Sequence, residues 1–187
     1  MSDSSVALIT AGLAAVVTVV GWNVSHYLAR RREDRNRRIE AEISRIERQI
    51  EEFYGPLISL IKQIFNVWDI RKRILESVDS DKKEKIREFI YSEYFLPLHI
   101  EMRELIKSKF YLNDDEKVSE KLKEYLIHST QEVLQKRIYR ELQISTVELK
   151  GDGWPKSFSR RVEEAIEEKT SRRKSLIDNL KVEIHRK

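Results

Sequence analysis

Apolar residues recur at helical spacing along almost the whole chain, and near residue 29 they change in kind rather than in period. Residues 6–28 read VALITAGLAAVVTVVGWNVSHYL, 23 positions without Asp, Glu, Lys or Arg. At ~1.5 Å per residue a helix of that length covers a hydrocarbon core of about 30 Å, so the pattern predicts a transmembrane helix. Asn23, Ser25 and His26 sit toward one end of it, beside Trp22 and Tyr27, whose amphipathic rings favour the headgroup level. Within the stretch, Ala7, Ala11, Ala14, Thr18, Gly21 and Ser25 recur at spacings of four and three. Such a face of small residues lets helix backbones approach in lipid, although Ala, Gly and Thr are common in spans for other reasons.

The same alternation continues through Leu28, Arg32, Arg35, Ile39, Ile43, Ile46, Ile50, Phe53, Leu57, Leu60, Ile64 and Val67. A 3.5-residue apolar period marks a coiled-coil seam, and the core-facing stripe of an intramolecular bundle has nearly the same period. We expect a seam shared between copies, a coiled-coil stalk, before Pro56 and a bundle after it. Pro56 lacks an amide donor and crowds the preceding turn, so Gly55-Pro56 predicts a kink or short break.

Beyond that, Ser77 to Asp81 form a polar breaker and residues 82–95 read as a helix, with Pro97 ending it or opening the next. Leu98, Met102, Leu105, Ile106 and Phe110 continue an amphipathic stripe. Asn113-Asp114-Asp115 is a turn and N-cap signal for a helix carrying Val118, Leu122, Tyr125, Leu126, Val133 and Ile138. Residues 143–150 alternate and are β-branched, a strand-like or loop connector closed by Gly151-Asp152-Gly153. Trp154-Pro155 precedes a last helix marked by Phe158, Val162, Ile166, Leu176, Leu180 and Ile184. The fold class is therefore all-α: an N-terminal transmembrane helix (6–28) after a short extracytoplasmic end (1–5), a basic juxtamembrane segment (29–38), and a cytoplasmic bundle of five or six helices (39–187).

Charge fixes the direction of the anchor. Residues 1–28 carry only Asp3, whereas residues 29–38 set Arg30, Arg31, Arg32, Arg35, Arg37 and Arg38 against Glu33 and Asp34, a net +4. The whole chain is also +4, which leaves about +1 for residues 39–187, so the basicity belongs to the membrane boundary. Positive flanks stay inside, which predicts a single-pass protein of the cell (inner or plasma) membrane with its N-terminus out. A cleaved signal peptide is the rival reading, but MSDSS has no basic residue and no small-x-small site follows the apolar run. The same six arginines are the expected contact with anionic lipid.

Phe53-Tyr54-Gly55-Pro56-Leu57 resembles a FYGPL-type element of uncharacterised bacterial single-span, membrane-anchored helical proteins, and Phe95-Leu96-Pro97-Leu98-His99 looks like a second shared element. The resemblance implies an anchored helical protein and no established activity.

Candidate chemistry is sparse. The absence of Cys excludes disulfides, thiolate metal sites and cysteine nucleophiles, and five glycines include no phosphate-cradling motif. His26, His99, His128 and His185 lie far apart in sequence, without metal-ligand spacing. His99, after Pro97, reads as a satisfied helix-face histidine or as a donor into a cleft. Glu40, Glu42, Glu47, Glu51 and Glu52, and again Glu163, Glu164, Glu167 and Glu168, read as solvated helix faces. Arg160, Arg161, Lys169, Arg172, Arg173 and Lys174 are interleaved with acids and lack stacking aromatics, so a nucleic-acid partner is not expected. Trp154 and Phe158 read as core anchors, or as a docking point beside a Gly-rich turn. No catalytic, cofactor-binding or metal residue is assigned. The expected partners are the lipid bilayer, further copies of the chain through Ala7, Ala11, Ala14, Thr18, Gly21, Ser25, Ile39, Ile43, Ile46 and Ile50, and a protein of unknown identity. Function is expected to be that of an interaction or signalling module; the alternative is a membrane-perturbing effector whose cytoplasmic domain controls assembly of the spans.

Overall fold

Helical periodicity is carried into structure almost without interruption. The computed structural model describes residues 3–142 and 154–185, with side chains described over 17–142 and 154–182. Its elements are α1 (Asp3–Gln49), α2 (Gly55–Glu76), α3 (Lys83–Ile90), α4 (Leu96–Lys109), α5 (Glu116–Leu142) and α6 (Phe158–His185). No strand occurs among the described residues, and the all-α class holds. The connector at 143–150, expected as strand or loop, lies outside the described residues.

At Gly55-Pro56, where a kink or short break is expected, the helix does not break but widens over one turn. Pro56 has no N–H for the carbonyl four residues back, and its ring would crowd that turn. The chain answers with a π-turn over Ile50–Tyr54, in which the Gly55 N–H bonds to the Ile50 carbonyl, and α2 starts with Pro56 in its first turn. The same solution recurs at Pro97: a π-turn over Tyr91–Phe95, the Leu96 N–H on the Tyr91 carbonyl, and Pro97 in the first turn of α4. Five or six separate helices were expected. The described residues form four continuous rods, 3–76, 83–112, 116–142 and 158–185, because each proline sits where a helix can begin without its amide. A 3₁₀ turn over Phe110–Leu112 closes the second rod. The third is capped as its sequence foretells, with the Val118 N–H donating to Asp115 Oδ1 at 3.0 Å.

The chain divides into two units, Met1–Ser44 with Leu176–Lys187, and Arg45–Ser175. In the first, every side chain from 17 to 28 is exposed; Val17, Val19, Val20, Val24 and Leu28 are each more than half so. Among the described residues no helix is long and apolar enough to cross a membrane. The side chains of residues 6–16, including Ala7, Ala11 and Ala14, lie outside the description. Thr18, Gly21 and Ser25 are exposed, and nothing stands within 4 Å of where a Gly21 Cβ would be. Arg30, Arg31, Arg32, Arg35, Arg37 and Arg38 are all exposed; Arg37 pairs with Glu33 at 2.6 Å.

In the second unit, the stripe after Pro56 faces inward, as a bundle requires. Leu57, Leu60, Ile61 and Ile64 are buried with Met102 and Ile106 of α4, Val118, Leu122 and Tyr125 of α5, and Phe158 and Val162 of α6. Of the seam residues, Ile46 is buried within the chain itself, while Ile39, Ile43 and Ile50 are half-buried. Gln49, 2% exposed, is the last residue of α1: its amide donates to the Leu112 carbonyl (2.8 Å) and to Asp114 (3.0 Å), and accepts from Lys169 of α6 (3.0 Å). Asp114 also meets Arg45 at 3.1 Å and Lys169, and the Tyr54 hydroxyl donates to Asn113 at 2.7 Å. This polar clasp fastens the last turn of α1, the 113–115 loop and α6.

Candidate functional site

A cavity of about 320 Å³ opens between α2, the second π-turn, α4 and α5. Its walls are aromatic: Phe65 and Trp68 from α2, Tyr91 and Phe95 from the π-turn, and Trp154 from the segment before α6. Trp154 is held edge-on to Phe65 (5.3 Å between centroids) and Tyr125 (5.5 Å), and tilted against Phe158 (6.0 Å). Phe65 and Trp68 are 41% and 55% exposed. Helical spacing puts Ile64 and Trp68 on one side of α2 and Arg71 a turn beyond, so one helix supplies both apolar wall and cation.

His99 and Glu132 give the cavity its polar floor. His99 is 2% exposed and stacks on Tyr125 at 5.8 Å. Burial raises the Tyr125 pKa above its ordinary value, and its hydroxyl lies 2.9 Å from His99 Nδ1. His99 Nε2 lies 3.2 Å from Glu132 Oε2, and because an ionised carboxylate only accepts, Nε2 carries the proton in that contact. His128 reaches the same oxygen at 3.9 Å from one turn earlier on α5. Burial by itself would raise the Glu132 pKa; the His99 hydrogen bond and the positive potential of His128, His99 and Arg71 outweigh it and hold the carboxyl below its ordinary value. Glu132 is therefore an ionised carboxylate at neutral pH, with Oε1 making no hydrogen bond among the described residues.

Two further polar groups lack partners. The Arg71 guanidinium lies over the rings of Trp68 (5.3 Å) and Phe95 (5.9 Å) and makes no ion pair or hydrogen bond among the described residues. The Tyr91 hydroxyl has no hydrogen-bond partner among the described residues although the residue is only 8% exposed, and burial raises its pKa; Tyr91 also lines a second cavity with Lys136 and Arg140.

Sequence reading found His99 and Trp154 and left both with two meanings. His99 is indeed satisfied, yet it also forms the cavity floor, and Phe158 is fully buried as an anchor should be. Trp68, Arg71, Tyr91, Tyr125 and Glu132 were missed. The only local signals were the helical pairs His128/Glu132 and Trp68/Arg71, which have the spacing of ordinary solvated neighbours. The His residues, distant in sequence, are partly gathered: His99 and His128 have centroids 6.2 Å apart. No group of three ligating side chains among the described residues could hold a metal ion. The carboxylate-rich faces are solvated only in part: Glu40, Glu51, Glu164, Glu167 and Glu168 are exposed, whereas Glu47, Glu52 and Glu163 are half-buried and pair across helices with Arg173, Lys109 and Lys62. No family model, curated protein or solved structure matches the chain, so the cavity has to be interpreted from its own geometry.

Proposed function

We propose that the protein is a membrane-anchored signalling module whose helical domain binds a small ligand in the Trp68–Trp154 cavity and acts through self-association and tethering of a partner protein. The observation that carries this reading is the cavity itself: an aromatic enclosure, built on helices, lined by a cation, Arg71, and a carboxylate, Glu132 Oε1, that make no hydrogen bond there among the described residues. Sites of this make-up, largely apolar with a few convergent polar groups, are what small-molecule binding requires.

The anchored part of the reading rests on the charge-free run at 6–28, on its exposed apolar side chains from Val17 onward, and on the exposed arginines that follow. Confinement to a bilayer raises the effective concentration of copies without new contacts. A second reading, a membrane-perturbing effector, is favoured by one feature: α1 carries the apolar run and also supplies Arg45 and Gln49 to the clasp.

The test is crosslinking in native membranes at low expression, with a C-terminal topology reporter on the same chain. The module is expected to resist carbonate extraction, to place its C-terminus in the cytoplasm, and to give discrete oligomers that Gly21→Leu or Ile43→Asp reduces. A monomeric, carbonate-extractable protein sinks the anchored reading. Replacing residues 6–28 with an unrelated span separates the two readings, since a tethering module keeps its partner output and an effector loses its effect on the membrane.

A further inference from the structure

We propose that the cavity binds a nucleoside monophosphate, with its base against Trp68 and Trp154, its amino edge on Glu132 Oε1 and its phosphate on Arg71. This rests on the ligand-binding reading above and specifies its chemistry. The argument starts from what the walls leave unanswered. Flat aromatic faces, two of them indoles, suit a planar ring system, and stacking on them tolerates any base because each has a π-face. An aliphatic ligand would satisfy the walls but none of the polar groups.

The polar groups then select the ligand's edges. Glu132 is an ionised acceptor whose Oε2 faces His99 and His128 and whose Oε1 has no hydrogen bond among the described residues, so it calls for an N–H donor such as an exocyclic amine. Arg71 lies over Trp68 and Phe95 and acts on Glu132 only through its field, with no direct ion pair or hydrogen bond among the described residues, so it can take an anion, and a bidentate contact from a guanidinium suits a phosphate. The Tyr91 hydroxyl supplies a donor to a ring nitrogen, a carbonyl or a sugar oxygen. A donor edge, a planar body and an anion on one molecule describe a mononucleotide; an aromatic amino acid shares this chemistry on a smaller body. A cavity of about 320 Å³ lies at the small end of ligand sites, which favours one nucleotide over a dinucleotide and leaves an amino acid loosely held.

The experiment uses the full chain in nanodiscs with Trp22→Phe, so that of the three tryptophans only Trp68 and Trp154 report. Intrinsic fluorescence and calorimetry are followed with AMP, GMP, CMP and UMP, the matching nucleosides, L-tryptophan and indole. At least one amino-bearing nucleotide, AMP, GMP or CMP, is expected to bind saturably, and its nucleoside about tenfold more weakly. Arg71→Gln should abolish that difference while leaving the nucleoside unchanged, and Glu132→Gln should weaken both. Tyr91→Phe is the variant least able to harm folding, since it removes a hydroxyl with no partner; it should keep or raise the melting temperature and still weaken the nucleotide about three- to tenfold. Saturable binding of L-tryptophan or indole without any of the nucleotides overturns the nucleotide assignment and leaves the ligand cavity standing. Binding of none of them overturns both. Nucleotide binding that is indifferent to Arg71→Gln, Glu132→Gln and Tyr91→Phe places the site elsewhere and also overturns the proposal.

Discussion

Single side chains decide the properties of the cavity floor. His99 stands between the Tyr125 hydroxyl at Nδ1 and Glu132 at Nε2, and the carboxylate, which only accepts, takes the Nε2 proton in a hydrogen bond. Because the folded Glu132 carboxyl titrates below its ordinary value of 4.5, it contributes stability that is complete above that value and is lost as the pH falls through the lower folded one. Asp114, also held low by Lys169, Gln49 and Arg45 against the effect of its burial, acts in the same direction. Thermal melts followed from neutral pH into the acid range should therefore show a declining limb. Glu132→Gln should shorten that limb at a cost of about 1 kcal/mol near neutrality, the size of a partly exposed charged hydrogen bond converted to a neutral one. A variant whose acid limb matches the parent's would show that Glu132 is not held low.

At the scale of elements, the two prolines write the same geometry into two rods, and they differ in the residue that closes the wide turn. Gly55 closes the first and Leu96 the second. A Cβ at Gly55 would stand 2.8 Å from the Ile50 carbonyl oxygen, a backbone atom that cannot turn aside, whereas the second turn accommodates a full leucine. Gly55→Ala should thus shift the turn rather than unfold it. Close contact of this kind costs about 1–3 kcal/mol, and the better helix propensity of Ala returns about 1, so a net loss of about 1 kcal/mol is expected in denaturant titrations. A gain in stability would show that the first π-turn has slack that its geometry does not suggest. The second π-turn is the one that bears on the proposed ligand site, because it delivers Tyr91 and Phe95 to the cavity.

At the scale of the whole molecule, the helical domain is held by its apolar core and by the clasp of Gln49, Asp114 and Lys169. Lys169 is 12% exposed on its side chain, and it also lies over the Tyr54 ring at 5.1 Å. Removing its partner leaves a nearly buried ammonium without a counter-charge, which is worse than removing both. Asp114→Ala should cost about 2–3 kcal/mol, and adding Lys169→Met to it should cost little more or restore part of the loss. Strict additivity in that double-mutant cycle would show that the two residues act separately. The clasp also bears on the seam at residues 39–50: Ile46 is buried within the chain, which leaves the half-buried Ile39, Ile43 and Ile50 as the positions with surface to offer another copy.

Local physics is legible in one dimension, and here it specified the all-α class, the inward stripe from Leu57 to Ile64, the Asp115 cap and the confinement of basic charge to residues 29–38. These depend on neighbours three or four positions away, which sequence displays directly. Pro56 and Pro97 were legible as faults but not as π-turns, because whether a helix breaks or widens depends on the packing that holds both sides in line. Of the cavity, His99 and Trp154 were legible as residues with a second, functional meaning, and the rest was not. His99, Glu132 and Arg71 each have the spacing of a solvated helix face, and Lys169 lies 120 residues from Gln49. Only the packing of the helices gives His99 two partners, leaves Arg71 and the Tyr91 hydroxyl without a hydrogen bond among the described residues, and sets His99 and Glu132 as a polar floor under an aromatic wall.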